Sequence, residues 1–212
     1  MDLAKRWYRE NLAKKVIEAL KDKGYNALYA EDVSALRAAV ASLIPQGARV
    51  ATGGSMTLEQ TQVMADIKNG AYEFIDRHNY TTPEEKRQRQ IEGFSADFFV
   101  TSTNAITKKG ELINIDGYGN RVSAIEFGPK NVIIVAGTNK IVRDINEGIL
   151  RAKQIAPINA KRLNCQTPCA VDGVCHDCKG AHRICNITSI IHNCYRQPGR
   201  ITVILVPQEL GY

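Results

Sequence analysis

Asn131-Val132-Ile133-Ile134-Val135-Ala136-Gly137-Thr138-Asn139-Lys140 decides the fold class of this 212-residue chain. An unbroken run of branched apolar residues suits a strand covered on both faces, because a half-exposed strand alternates with polar residues. Gly137 ends the run. Lys140 is left at the corner before a helix predicted over 144–156, where a cation can meet an anionic ligand. The same strand-then-helix order recurs upstream. A strand at Asn26–Ala30 precedes a helix over 33–44, capped by Asp32 and stopped by Pro45. Arg49–Ala51 runs through Thr52-Gly53-Gly54-Ser55 into a helix predicted over 56–68.

The remaining segments fit around these units. Leu3, Trp7, Leu12, Val16 and Leu20 recur at helical spacing over 2–22, with Gly24 as the stop. Glu73–Asp76 reads as a strand. Thr82-Pro83-Glu84-Glu85 opens a polar helix with proline in the first turn and acids near its positive end. Ala96–Thr103 holds a buried strand, and Ala105–Asp116 reads as a hairpin around Lys109-Gly110. Ile201–Val206 is the last strand. Strands alternating with helices imply one α/β domain over 1–212 with a largely parallel sheet, whose ligand sites lie at strand ends.

Composition narrows the function classes. Apolar and charged fractions of 44% and 24% are ordinary for a globular protein able to bury a core without disulfide staples. The net charge of +6 is spread over pairs such as Lys14-Lys15 and Lys161-Arg162, with no aromatics interleaved. That favours a solvated basic face, or attraction for anionic small molecules, over nucleic-acid binding. No apolar run approaches the ~18 residues of a membrane span. The first ten residues are charged and lack a signal peptide's apolar core. A cytoplasmic protein with reduced thiols is expected.

Five segments can carry chemistry. In Thr52-Gly53-Gly54-Ser55-Met56-Thr57, glycines allow close backbone approach to an anion, a helix start adds positive potential, and Ser55 and Thr57 add hydroxyls. The competing reading is a turn that needs glycine and a Ser55 N-cap. Thr101-Ser102-Thr103-Asn104 ends an apolar strand, so Asn104 is a candidate to orient a ligand. Glu111 is the candidate catalytic carboxylate, against an ordinary place in the hairpin. Lys140 is the candidate cation, against a solvated lysine. The fifth segment is the cysteine-rich excursion over 165–194. Cys165, Cys169, Cys175, Cys178 and Cys185 are spaced C-x3-C-x5-C-x2-C-x6-C, with Cys194 further on. The compact Cys175–Cys178 unit is shared by zinc and iron–sulfur sites. Cys169, Cys175, Cys178 and Cys185 are the expected ligands of a [4Fe–4S] cluster, or alternatively of zinc. His176, His182 and His192 widen the options for zinc. Cys165 is the reserve ligand, and Cys194 reads as packing.

Together these segments resemble the lactate-utilisation (LUD) domain family. The resemblance rests on Gly53-Gly54-Ser55-Met56-Thr57-Leu58, on 96–105 (Ala96 to Ala105), on Gly110-Glu111, on 117–121, on Phe127-Gly128-Pro129, and on 137–142 (Gly137 to Val142). It covers the chain to about Arg162. It implies a Rossmann-like sheet similar to the superfamily of sugar-phosphate isomerases, CoA transferases and 5-formyltetrahydrofolate cyclo-ligase. It also implies a role in lactate or related organic-acid utilisation, beside other lactate-utilisation or electron-transfer subunits. Thr167-Pro168-Cys169 and 173–178 (Gly173 to Cys178) mark a short, cysteine-bearing branch of that family. Two other readings stay open. One is an isomerase, acyl-transfer or cyclo-ligase enzyme with a structural zinc and Glu111 as nucleophile or general base. The other is a redox- or metal-sensing regulator.

Overall fold

The run that opens the sequence reading becomes β7 (Asn131–Gly137), an interior strand of a six-stranded sheet. The structure is a computed structural model and describes residues 2–212. β7 lies between β4 (Phe98–Thr101) and β10 (Ile201–Val206). With β1 (Asn26–Tyr29), β2 (Arg49–Thr52) and β3 (Glu73–Ile75), the order is β1-β10-β7-β4-β2-β3, and every pairing is parallel.

Successive side chains of the central strands enter opposite cores. Val132, Ile134 and Ala136 join Val203 and Leu205 on one face; Ile133 and Val135 join Ile204 and Val206 on the other. Both faces are dry, so the sequence there shows no alternation. The first face is covered by α1 (Leu3–Asp22), through Ala13, Val16, Ile17 and Leu20, and by α6 (Asn120–Glu126). The second is covered by α2 (Val33–Leu43), α3 (Met56–Gln60) and α4 (Val63–Asn69). α5 (Pro83–Glu92) buries no residue fully and relies on a capping box between Thr82 and Glu85. Among the described residues no helix is long and apolar enough to cross a membrane.

A second sheet has the order β8-β5-β6-β9, from β5 (Ala105–Thr107), β6 (Leu112–Asp116), β8 (Ile141–Val142) and β9 (Ile187–Ile191). β5 and β6 form the expected antiparallel hairpin, with Gly110 at φ +85°. α7 (Ile145–Arg162) packs against it. Gly148 permits that approach, since a Cβ there would stand 2.8 Å from Cδ1 of Ile113.

Three expectations need correction. The helix predicted over 56–68 is broken. The Thr61 hydroxyl donates back to the Thr57 carbonyl at 2.7 Å, and Gln62 turns left-handed at φ +62°. The helix predicted over 144–156 runs on to Arg162 through Pro157. Proline inside a helix costs ~3 kcal/mol, and burial of Pro157 and Ala160 offsets that cost. The excursion over 165–194 is not one long loop. It contains α8 (Pro168–Asp172) and then β9, which pairs antiparallel with β6. Cys194 is buried in the first core and donates to the Gln197 carbonyl at 3.0 Å, a packing role as expected.

Candidate functional site

A cleft of about 650 Å³ opens where the chain leaves the carboxyl ends of β2, β4 and β7. One wall is built from Gly54–Thr57 after β2, Ser102–Asn104 after β4, and Lys140 in the single 3-10 turn after β7. The facing wall comes from the end of α7 and the residues after it, including Asn159, Arg162 and Cys165. Ala181–Ile184 of the cysteine excursion close it further. The ends of parallel strands are where α/β folds leave such a crevice, because the helices turn away there.

Charge in the cleft is one-sided. Arg77, Lys86, Arg121, Lys140, Arg162 and Arg183 line it, against Asp116 as the one carboxylate side chain in the lining. Arg121 uses its guanidinium internally. It pairs with Asp116 at 2.7 Å, and its Nη1 donates to the Ser102 carbonyl at 3.0 Å and to Asn114 Oδ1 at 2.6 Å. Its Nη2 donates to Asn104 Oδ1 at 2.9 Å and to the Ile115 carbonyl at 3.1 Å. Asp116 also accepts from the amides of Arg121 and Val122, both at 3.0 Å, at the start of α6. Arg183 is likewise held, by Asp177 and the carbonyls of Cys178 and Cys185.

Lys140 is different. It is 4% exposed, and its Nζ donates to Ser102 Oγ at 2.8 Å and Thr57 Oγ1 at 3.0 Å. Among the described residues it has no carboxylate partner within ion-pair distance. Burial pushes its pKa down to about 7, and Arg151 and Arg121 push the same way. Arg77 and Arg162 also line the cleft without an ion pair among the described residues. Burial lowers the Arg77 pKa and repulsion from Arg162 adds to the effect, against a smaller opposing pull from Asp76 and Asp116, while Arg162 donates from Nε and Nη2 to Asn159 Oδ1 at 3.1 and 3.0 Å.

The structure brings Gly54, Ser55, Thr57, Asn104 and Lys140 to this one cleft. Several of them also have structural tasks, including the N-cap that was the competing reading for Ser55. Ser55 caps α3 by accepting from the Leu58 amide at 3.3 Å. Asn104 accepts from the Ile115 amide at 2.9 Å as well as from Arg121, so its carbonyl is committed. Gly53 stands outside the cleft lining. A Cβ there would run into the Thr101 hydroxyl, so this glycine serves the packing of β2 on β4. Gly54 lets Arg77 lie over the backbone, with a hypothetical Cβ 2.6 Å from Nη2. α3 has only five residues, so the helix start adds little positive potential.

Glu111 is not in the cleft. It sits in the hairpin beside α1, 9% exposed, hydrogen-bonded to the Thr107 hydroxyl and 3.3 Å from Lys23 Nζ. Burial raises its pKa, but the Thr107 and Lys23 contacts outweigh burial and hold it below the ordinary carboxylate value. Sequence reasoning missed Arg77 and Arg162, because an arginine in a loop or at a helix end looks solvated until the chain is folded. Arg121 stood in the quoted motif 117–121 without a role. An aspartate five residues before it, at the start of a helix, was the available signal.

The thiols separate into two sets. Cys169, Cys175, Cys178 and Cys185 line one small cavity of about 20 Å³ with Pro157, Thr167 and Ile184. Cys165 lines the large cleft instead. Ile184 borders both spaces. All six cysteines are free thiols, and burial raises the pKa of Cys165 and Cys185. Among the described residues no three His, Cys, Asp or Glu side chains stand in metal-holding geometry. His176 also borders the small cavity and meets Asp172 at 2.6 Å.

Comparison with known proteins agrees with the fold. The family model described as the LUD domain matches residues 13–206. Among solved structures, a DUF162 family protein from Deinococcus radiodurans superposes with a TM-score of 0.51 at 14% identity. The match covers 93% of this chain and 97% of that one. At that identity the likeness speaks for the fold alone. No curated protein matches significantly.

Proposed function

The chain belongs to the LUD domain family, and from that premise we propose that it binds a small anionic metabolite of organic-acid utilisation in the cleft at the carboxyl ends of β2, β4 and β7. The observation that carries this is Lys140, a buried amine held only by neutral hydroxyls in a cleft whose one lining carboxylate side chain is already paired. A buried cation without a counter-ion is costly, and an anionic ligand removes that cost. Arg77 and Arg162 line the same cleft and add positive charge that suits a carboxylate or phosphate. The family's association with lactate utilisation makes a hydroxy or oxo acid the first ligand to test.

Cys169, Cys175, Cys178 and Cys185 form a soft donor set around one cavity, which fits a thiophilic metal centre. In this reading they hold a [4Fe–4S] cluster, or zinc, once their side chains turn inward. A cluster would supply one-electron transfer; zinc would hold the excursion against α7. Ile184 borders both that cavity and the cleft.

Two measurements test the reading. Calorimetric titration with lactate, pyruvate and inorganic phosphate should show binding that weakens at least about tenfold in Lys140→Met. Absence of binding by all three sinks the cleft assignment. Iron, zinc and acid-labile sulfide analysis on protein purified without oxygen tests the thiol centre. Iron with matching sulfide supports electron transfer, stoichiometric zinc rejects it in favour of a structural role, and no metal rejects both.

A further inference from the structure

The environment of Lys140 leaves its nitrogen with more than a binding role. The Thr57 hydroxyl donates onward to the Leu210 carbonyl at 3.3 Å, and the Ser102 hydroxyl to the Thr103 carbonyl at 3.5 Å. Both hydroxyl oxygens therefore turn lone pairs toward Nζ and act as its acceptors, at 3.0 and 2.8 Å. A neutral amine has two N–H donors and one lone pair. Here both donors are occupied, and the lone pair is the only unengaged feature of a nitrogen that lines a ligand-sized cleft. A protonated amine in the same place would carry a third N–H with no partner from the protein.

We propose that Lys140 is a nucleophile that forms an imine with the carbonyl of an oxo acid held in the cleft. The proposal rests on the anion-binding reading above, since the guanidiniums of Arg77 and Arg162 must seat the carboxylate. Nζ adds to the carbonyl carbon, forming the C–N bond while the C=O π pair moves to oxygen. The carbonyl oxygen then leaves as water with the two hydrogens of the amine, giving C=N. No electrons are gained or lost overall, and no co-reactant is needed. Burial, and with it the nearby Arg151 and Arg121, brings the amine's pKa down to about 7, so a large neutral fraction is present at neutral pH. The charged side chains lining the cleft around it are Arg77, Lys86, Arg121, Arg162, Arg183 and Asp116, with Tyr118, Cys165, His182 and Tyr212 as the other titratable ones, and Asp116 is paired with Arg121. No carboxylate side chain of the cleft lining is left free to stabilise the ammonium form.

Lys140 was expected to be a cation, and the two roles are sequential. As an ammonium it attracts the anion; as an amine it reacts. An exposed lysine keeps an ordinary pKa near 10.5, so at pH 7 its neutral fraction is on the order of a thousandfold smaller than that of a group titrating near 7. Selectivity among the lysines of this chain follows from that difference.

The test uses the full chain with pyruvate and 2-oxoglutarate as probes, cyanoborohydride as trap, and peptide mass mapping as readout. Lactate, which has no carbonyl, is the matched control. The expected result is a reduced adduct on the Lys140 peptide, formed roughly a hundredfold faster than on any exposed lysine, and none with lactate. Mapping the adduct on the wild-type chain keeps the test valid even if Lys140→Met folds poorly. Calorimetry on the same samples separates the two layers. Binding of the oxo acids with no Lys140 adduct, or with adducts spread evenly over surface lysines, overturns the imine and leaves the anion site standing. No binding of any acid overturns the anion site and the imine with it.

Discussion

Glu111 and Lys140 are both buried charged residues near the small second sheet, and they end in opposite situations. Glu111 has its counter-ion, Lys23, and a hydroxyl from Thr107. Lys140 has two hydroxyls and no counter-ion. The consequence shows in their acidities. The pairing of Glu111 outweighs its burial and favours the charged form, while nothing in the cleft offsets the burial of Lys140. A buried charge that the chain itself neutralises is structural. One that the chain leaves without a counter-ion marks the place where a ligand completes the site.

The harshest way to challenge this contrast is to remove the scaffold on which the cleft rests. Arg121→Ala leaves Asp116, Asn114 and Asn104 without their partner and should cost about 3–5 kcal/mol in denaturant unfolding. A cost below about 1 kcal/mol would mean that the network is not what shapes the cleft.

Lys140→Met should act in the opposite direction. The folded value lies near 7 and the unfolded one near 10.5, so the unfolded chain holds more protons between those limits and wild-type stability rises with pH across them. Removing the amine should therefore stabilise the protein below pH 7 by on the order of 3 kcal/mol, after allowing for the lost hydroxyl contacts. The gain shrinks between pH 7 and 10.5, and above that only a small loss from the missing hydroxyl contacts remains. A loss of stability at pH 6 would show that the amine is compensated after all.

Glu111→Gln should cost about 1–2 kcal/mol and leave ligand affinity unchanged. The Glu111 carboxylate is held below its ordinary value of 4.5, so its contribution is present above that pH and lost as pH falls through the folded value. Wild type and variant should converge in acid. A large fall in ligand binding or turnover would return Glu111 to the chemistry. The smallest effect on the cleft is expected from Cys175→Ser with Cys178→Ser. Metal content should be lost while lactate affinity changes by less than about threefold, because Ile184 and not a thiol of this set meets the cleft.

The sequence showed the sheet more clearly than the site, for physical reasons. Val132 to Val135 announces a strand buried on both faces because that environment excludes polar side chains, and Cys169, Cys175, Cys178 and Cys185 border one small cavity because they lie close together in sequence. Lys140 was identified from its corner position, but its burial depends on Thr57 and Ser102, which are far away in sequence. Arg77, just after β3, and Arg162, at the end of α7, meet at the cleft only once the chain is folded. β9 was missed because Ile187–Ile191 is partly exposed and pairs with β6, more than 70 residues earlier. Gly53 was read as a ligand-binding residue, since a glycine needed for packing and a glycine needed for an anion look identical in sequence.

The contrast between the two charges can be read directly from the side-chain NMR titration of Lys140, assigned by comparison with Lys140→Met, with and without lactate. The amine should titrate near 7 in the free protein and rise by about one unit or more when the carboxylate binds. A value near 10.5 that lactate does not move would contradict the assignment of Lys140 as the uncompensated cation of the cleft.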